Sequence, residues 1–220
     1  MKRLAVFDID GTLVDSRRSI ADAVRAAWLA LDLEPPGYDA TRQIVGLSLL
    51  DAVQVLAPDL APARYPELGL AYKNAFIANR AAGLDEPLYC GARDALDALK
   101  RDGWLLGVAT GKSRRGIEHV FDHHGLGPLF DAAFCADDGP GKPDPHMLEL
   151  NIRALDVDPA RTAMIGDTAH DMKMARAANC YALGVSWGFH TAEEVSEGGA
   201  HEVAHDFPEL SAALARWSAA

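Results

Sequence analysis

Cysteine is scarce and scattered. Cys90, Cys135 and Cys180 are the only three in 220 residues, and no Cys-x-x-Cys occurs. An odd number at wide spacing argues against a disulfide framework and a zinc ribbon, and it fits a reducing cytoplasm. No apolar run has the length needed to span a bilayer, so no membrane association is expected. Positive charge is in deficit: 21 Lys and Arg against 32 Asp and Glu give a formal net charge of −11. A non-specific binder of nucleic acid or of a membrane surface needs a basic face, so neither partner is expected. Histidine is absent before His119, although the chain has eight. The start, Met1-Lys2-Arg3-Leu4, runs straight into a strand pattern and does not read as a signal peptide. Internal repeats and low-complexity stretches are absent, and nothing in the pattern indicates an oligomeric state.

What is present is an α/β pattern with an interruption. Arg3 to Phe7 is a short apolar run that reads as a buried strand. From Ser16 to about Gly83 only helical periodicity follows. Ile20, Ala23, Val24, Ala27, Trp28 and Leu31 share one face, and Pro35-Pro36-Gly37 ends that helix. Shorter helical pieces run from Asp39 to Val45 and from Ser48 to Leu56. A long one, marked by Leu68, Ala71, Tyr72, Ala75, Phe76 and Asn79, is closed by Gly83. After Glu86-Pro87, helix and strand alternate: helix Asp94 to Lys100, strand Trp104 to Ala109, helix Ser113 to His124, strand Ala132 to Ala136. The alternation goes on with helix Pro145 to Leu155, strand Thr162 to Ile165, a helix to about Ala178 and a strand from Tyr181 to Val185. A Thr191–Glu194 capping box and a short strand at Glu202 to Ala204 complete it. Such alternation implies a Rossmann-like, mostly parallel sheet with helices on both faces. The expected division is a core of residues 1–15 and 85–220, with a helical domain of residues 16–84 inserted after the first strand. Hinges then fall near Asp15–Ser16 and Leu84–Pro87.

Four polar clusters each follow one strand. They are Asp8 and Asp10; Thr110-Gly111-Lys112-Ser113; Lys142, ahead of Pro143; and Asp167 with Asp171. Together they supply what phosphoryl transfer requires. A carboxylate can attack phosphorus and form an acyl phosphate, dividing hydrolysis into two easier steps. Carboxylates from two loops can hold Mg²⁺, which favours hard oxygen ligands. The Thr110 hydroxyl and the N–H groups at a helix start, as at Gly111, can hold phosphate oxygens. A lysine such as Lys142 sets compact positive charge against a dianion. Taken one at a time, a helix cap, a solvated loop lysine and an exposed helix acid are the better readings of Thr110, Lys142 and Asp171.

Taken together, the clusters resemble the four motifs of the haloacid dehalogenase superfamily of phosphoryl-transfer enzymes. Asp8-Ile9-Asp10-Gly11-Thr12 matches the first, Thr110 the second, Lys142-Pro143 the third, and Gly166-Asp167 through Asp171 the fourth. The resemblance covers the whole chain, with the helical insert matching the superfamily's small helical cap. Within the superfamily it runs closest to the phosphoglycolate-phosphatase group. It implies a Mg²⁺-dependent phosphatase acting on a small phosphorylated metabolite, with Asp8 as nucleophile and Asp10 as general acid and base. It further implies that Mg²⁺ is held by the side chains of Asp8 and Asp167 and by the main-chain carbonyl of Asp10, with Asp171 supporting. The acid at position 10 departs from the dehalogenase branch.

Sugar phosphomutases and pyrophosphatases or nucleotidases of the same superfamily remain open alternatives. The mutases use a histidine in or near the cap, which this insert lacks. A phosphonoacetaldehyde hydrolase would need a cap lysine, for which Lys73 is the one candidate. A receiver module, phosphorylated on a strand-end aspartate, would be shorter and lack the insert. Gly111-Lys112-Ser113 imitates a nucleotide P-loop, but that motif needs glycine at position 106, where Leu106 stands. His119 and His123 have metal-ligand spacing on a helix, yet Val120 rather than Glu follows His119, and an exposed helix surface is the better reading. Arg17 and Arg18 follow the first motif at the hinge. A solvated helix start and a place facing the substrate's leaving group are both open for them.

Overall fold

The computed structural model describes residues 2–84 and 86–219. The two chain ends, and position 85, where the second core segment is expected to begin, lie outside the described residues. Among those described, six strands form one sheet: β1 (Leu4–Phe7), β2 (Leu105–Thr110), β3 (Ala132–Cys135), β4 (Thr162–Gly166), β5 (Tyr181–Val185) and β6 (Glu202–Ala204). Their order is β3-β2-β1-β4-β5-β6, and every pairing is parallel. Four helices, α1 (Arg17–Leu29), α2 (Tyr38–Gln43), α3 (Leu49–Leu56) and α4 (Tyr65–Ala81), follow β1, and α5 (Ala92–Arg101) leads into β2. The remaining helices are α6 (Arg114–His124), α7 (His146–Leu155), α8 (Ala169–Ala177), α9 (Ala192–Glu197) and α10 (Phe207–Ala219).

The central strand shows why short apolar runs become buried strands here. All four residues of β1 are fully buried, as both faces of a parallel sheet are covered by crossover helices. With a period of two, Ala5 and Phe7 pack on one side with Ala92, Leu96, Ile117, Val120, Leu210 and Leu214. Leu4 and Val6 pack on the other with Met147, Leu148, Met172, Met174 and Val195. Each large apolar side chain removed from water in this way is worth about 1.5–3 kcal/mol. Helix α10 has no counterpart in the sequence-based assignment. Its Phe207, Leu210, Ala213 and Leu214 are buried and cover the first face.

The inserted helices α1 to α4 have a core of their own, built from Ile20, Val24, Ala27, Trp28, Ile44, Val45, Ala52, Val53 and Leu68. Two adjacent chain segments connect this bundle to the sheet. Asp15 N donates to Pro87 O at 2.8 Å and Tyr89 N to Leu13 O at 2.9 Å, and Val14 pairs with Leu88 in an antiparallel bridge. The chain runs from β1 to β2 and β3 on one side, then returns to β4, β5 and β6 on the other. β1 therefore borders the point where strand order reverses, and a crevice opens there beyond the carboxyl ends of the strands.

Candidate active site

Asp8 is the first residue beyond β1, and its N–H donates to Ile165 O at 2.9 Å, extending the ladder with β4 by one step. The chain then turns at Gly11, whose φ is +79°, a value that glycine adopts without steric cost. Asp8 is 1% exposed. Its Oδ1 lies 2.9 Å from Lys142 Nζ, which also meets Asp171 Oδ1 at 2.6 Å. Apart from that ammonium, no described residue donates to either oxygen of Asp8.

Asp167, beyond β4, is held by two donors at 2.8 Å: the Thr12 hydroxyl on Oδ1 and the Phe189 N–H on Oδ2. The first joins the β1 turn to β4, and the second brings in the loop after β5. Glycine is needed at position 188, because a Cβ there would overlap the Asp167 carboxylate. Trp187 Nε1 donates to Thr12 O at 3.0 Å and anchors the same loop. Asp171 caps α8 reciprocally with Thr168: its Oδ2 accepts from the Thr168 hydroxyl at 2.6 Å and from Thr168 N at 3.1 Å.

Asp8, Asp167 and Asp171 thus bring one carboxylate oxygen each to within 4.8 Å of one another, all out of solvent. Burial pushes the Asp8 carboxyl up to about 7; Lys142 opposes this, and the neighbouring Asp171 and Asp10 add to it. Burial, then Asp171 and Asp8, raise Asp167 well above the usual carboxylate range. Burial alone would lower the Lys142 ammonium, but Asp171 and Asp8 outweigh it and hold it above its ordinary value. Three buried carboxyls face one ammonium, and ionised together they would leave an excess of negative charge for a cation to balance. That donor set, all hard oxygen and with Asp8 met by no donor of a described residue but the Lys142 ammonium, fits a cation such as Mg²⁺.

A second ion network surrounds Asp10. Lys112 Nζ lies 2.8 Å from Asp10 Oδ1 and 3.6 Å from Glu86 Oε1, with its side chain 7% exposed. Glu86 in turn accepts from the Ser19 hydroxyl at 2.7 Å and meets Arg80 at 3.4 Å. Burial would raise the Glu86 carboxyl, yet Lys112, Ser19 and Arg80 together hold it below its usual range. The chain of contacts therefore links α1 and α4 of the insert, through Glu86 near the hinge, to the carboxylate of Asp10. The sequence reading places Glu86 only as a hinge neighbour and Lys112 only as part of a polar loop. A lysine two residues beyond Thr110 is the one local signal for this network.

Asp8, Asp10, Thr110, Gly111 and Lys112 line one open cavity. Lys142, Asp167 and Asp171 are buried beside Asp8. The turn at Gly46–Leu47 of the insert seats against Gly111. Arg17 and Arg18 are not among the lining residues. Arg17 binds Asp15 through two nitrogens, at 2.8 and 2.5 Å, and lies over the Tyr89 ring. Arg18 is exposed beside Asp22 at 3.6 Å. His170 contacts Gln43 O at 3.0 Å, and His119 and His123 stack on the surface of α6.

With this geometry in place, comparison with known proteins gives the class. The sequence profile of the haloacid dehalogenase-like hydrolases matches residues 2–179, and the chain belongs to that family. Over 215 residues it is 35% identical to "Probable phosphatase IndB" of Dickeya dadantii (strain 3937), covering 96% of this chain and 92% of that one. It is 29% identical to a phosphoglycolate phosphatase of Psychrobacter arcticus, covering 95% and 94% of the two chains. A crystal structure of a predicted phosphatase from Clostridium acetobutylicum superposes with a TM-score of 0.88 over 98% of this chain and 99% of that one, at 24% identity; that likeness is one of fold. The protein is an enzyme, a phosphatase of the haloacid dehalogenase superfamily.

Proposed function

We propose that the protein hydrolyses small phosphomonoesters with Mg²⁺ through a phosphoryl group carried on Asp8. The observation that carries this reading is Asp8 itself: a buried carboxylate at the cavity, met by the Lys142 ammonium and by no other donor of a described residue, and two residues from a second acid. In the first step an Asp8 oxygen attacks phosphorus and the bond to the ester oxygen breaks, while Asp10 gives that oxygen a proton. In the second, Asp10 takes a proton from a water that attacks the same phosphorus, so phosphate leaves and the Asp8 carboxylate is restored. Thr110 and Gly111 hold phosphate oxygens, Lys142 sets charge against them, and Lys112 keeps the Asp10 carboxylate aimed at the cavity. The side chains of Asp8 and Asp167 and the main-chain carbonyl of Asp10 would hold the cation, with Asp171 supporting. When bound, it supplies charge that shields the carboxylate from the incoming phosphate dianion.

The helical residues 16–84 act as a cap over a core of residues 1–15 and 85–220, with the paired hinge segments between them. Phosphoglycolate, the compound in one relative's name, is the first substrate to try. Three cysteines without a disulfide fit a cytoplasmic protein. The test is phosphate release from alkyl phosphates. Chelation should abolish turnover, and Mg²⁺ should restore it better than Ca²⁺, which accepts longer distances and more ligands. Equal activity with Ca²⁺ or with no cation contradicts the reading.

A further inference from the structure

The cavity above Asp8 and Asp10 has a volume of about 780 Å³. That lies in the range that encloses drug-sized ligands, roughly 300–1,000 Å³. Its two ends differ in chemistry. The core end carries Asp8, Asp10, Thr110 and Lys112. The insert end is walled by Ile20, Val24 and Trp28 of α1, Val53 of α3, and Tyr72 and Phe76 of α4. The Tyr72 and Phe76 rings stand 5.8 Å apart at a 38° tilt and present neighbouring aromatic surfaces.

The cations near that wall are mostly paired or lie at its solvent edge. Two cations of the insert line the cavity, and Arg80 is already paired with Glu86. The other, Lys73, is exposed, as is Arg115 of α6. Lys112 is taken up by Asp10 and Glu86. A glycolate leaving group has two carbons and a carboxylate. Against the apolar side chains of α1 and α3 that anion would lose its hydration without gaining a partner there, and most of the volume would stay unfilled. An uncharged ring would bury apolar area against the same wall and could stack on Tyr72 beside Phe76, whose ring already carries Arg80 at 4.8 Å and Lys112 at 5.2 Å. Binding of such a remote part can serve the reaction at phosphorus.

We infer that the natural leaving group is an uncharged alcohol bearing an apolar ring, not a carboxylate such as glycolate. This rests on the phosphatase reading and departs from it only in the substrate. The experiment compares kcat/KM, with Mg²⁺, for 2-phenylethyl phosphate, ethyl phosphate and phosphoglycolate. The first two release alkoxides of similar basicity, so their ratio reports what the ring contributes. 2-Phenylethyl phosphate should exceed each of the others by at least about tenfold. Phe76→Ala should cut the ring's advantage over ethyl phosphate by at least about fivefold, with far-UV circular dichroism checking that the helices persist. Phe76→Leu, which keeps bulk but removes the aromatic face, should cut it by less. If phosphoglycolate or ethyl phosphate matches 2-phenylethyl phosphate, the inference is overturned and the phosphatase reading stands. No turnover of any of the three, nor of nitrophenyl phosphate, would overturn the reading beneath it.

Discussion

Replacing Asp8 by asparagine should stabilise the cation-free protein while abolishing its activity. The reason is the crowding of three buried carboxylates against one ammonium. In the folded chain the Asp8 carboxyl is raised from 3.8 to about 7, chiefly by burial. A carboxyl whose folded value exceeds its unfolded one takes up a proton on folding. Its unfavourable contribution is therefore absent below about pH 4, grows as pH rises to about 7, and is complete above that. At about 1.4 kcal/mol for each factor of ten in the proton equilibrium, the cost at pH 8 is about 4 kcal/mol. Asp8→Asn removes it, and in a chain of this size each kcal/mol moves Tm by roughly 2–4 °C. The assay is thermal and urea unfolding of both proteins in chelator, between pH 4 and pH 8. The variant should gain roughly 8–16 °C at pH 8 and little at pH 4. Adding Mg²⁺ should then raise the wild type far more than the variant. A variant no more stable than wild type at pH 8, or a gain that does not change with pH, would refute the reasoning.

Two further substitutions address the groups around the acids. Lys112→Met removes the cation 2.8 Å from Asp10; it should slow alkyl phosphates by about 10²-fold and nitrophenyl phosphate much less, because a nitrophenolate leaves without the proton that Asp10 delivers. An equal loss with both leaving groups would mean that Lys112 does not act through Asp10. Gly188→Ala would drive a Cβ into the Asp167 carboxylate; the Mg²⁺ concentration for half-maximal activity should rise about 10–100-fold, and an unchanged Mg²⁺ dependence would count against the part given to Asp167.

The strand-end acids and Thr110 were legible because each lies at the end of an apolar run, where local pattern and position in the sheet coincide; Lys142, in the loop beyond β3, was legible from the Pro143 that follows it. The helical insert was legible for a similar reason: Ile20, Val24, Ala27 and Trp28 repeat at helical spacing and are all buried. Contacts made across the chain left no such trace. Lys112 and Glu86 are 26 positions apart and meet only because the hinge returns beside the loop after β2. Gly188 is small for the sake of Asp167, which lies beyond a different strand. Helix α10 shows a readable period at Leu210, Ala213 and Leu214, but no following strand calls for it. Arg17 and Arg18 follow the first motif closely in sequence. The phase of α1 nonetheless turns Ser19, Ile20 and Ala23 inward and leaves both arginines exposed. A neighbour in sequence need not be a neighbour at the site.

The most direct test of the central claim is to trap the phosphoryl group. On the proposed mechanism the second step in Asp10→Asn lacks its base, while nitrophenyl phosphate needs little help from an acid in the first. Mixed with that substrate and Mg²⁺, quenched in acid and mapped by mass spectrometry, the variant should carry one phosphoryl group on the peptide containing Asp8. Release of nitrophenol should show a burst near one equivalent per chain before it stalls. If nitrophenol and phosphate appear together with no burst, and Asp8 is unmodified, then Asp8 is not the nucleophile and the account fails.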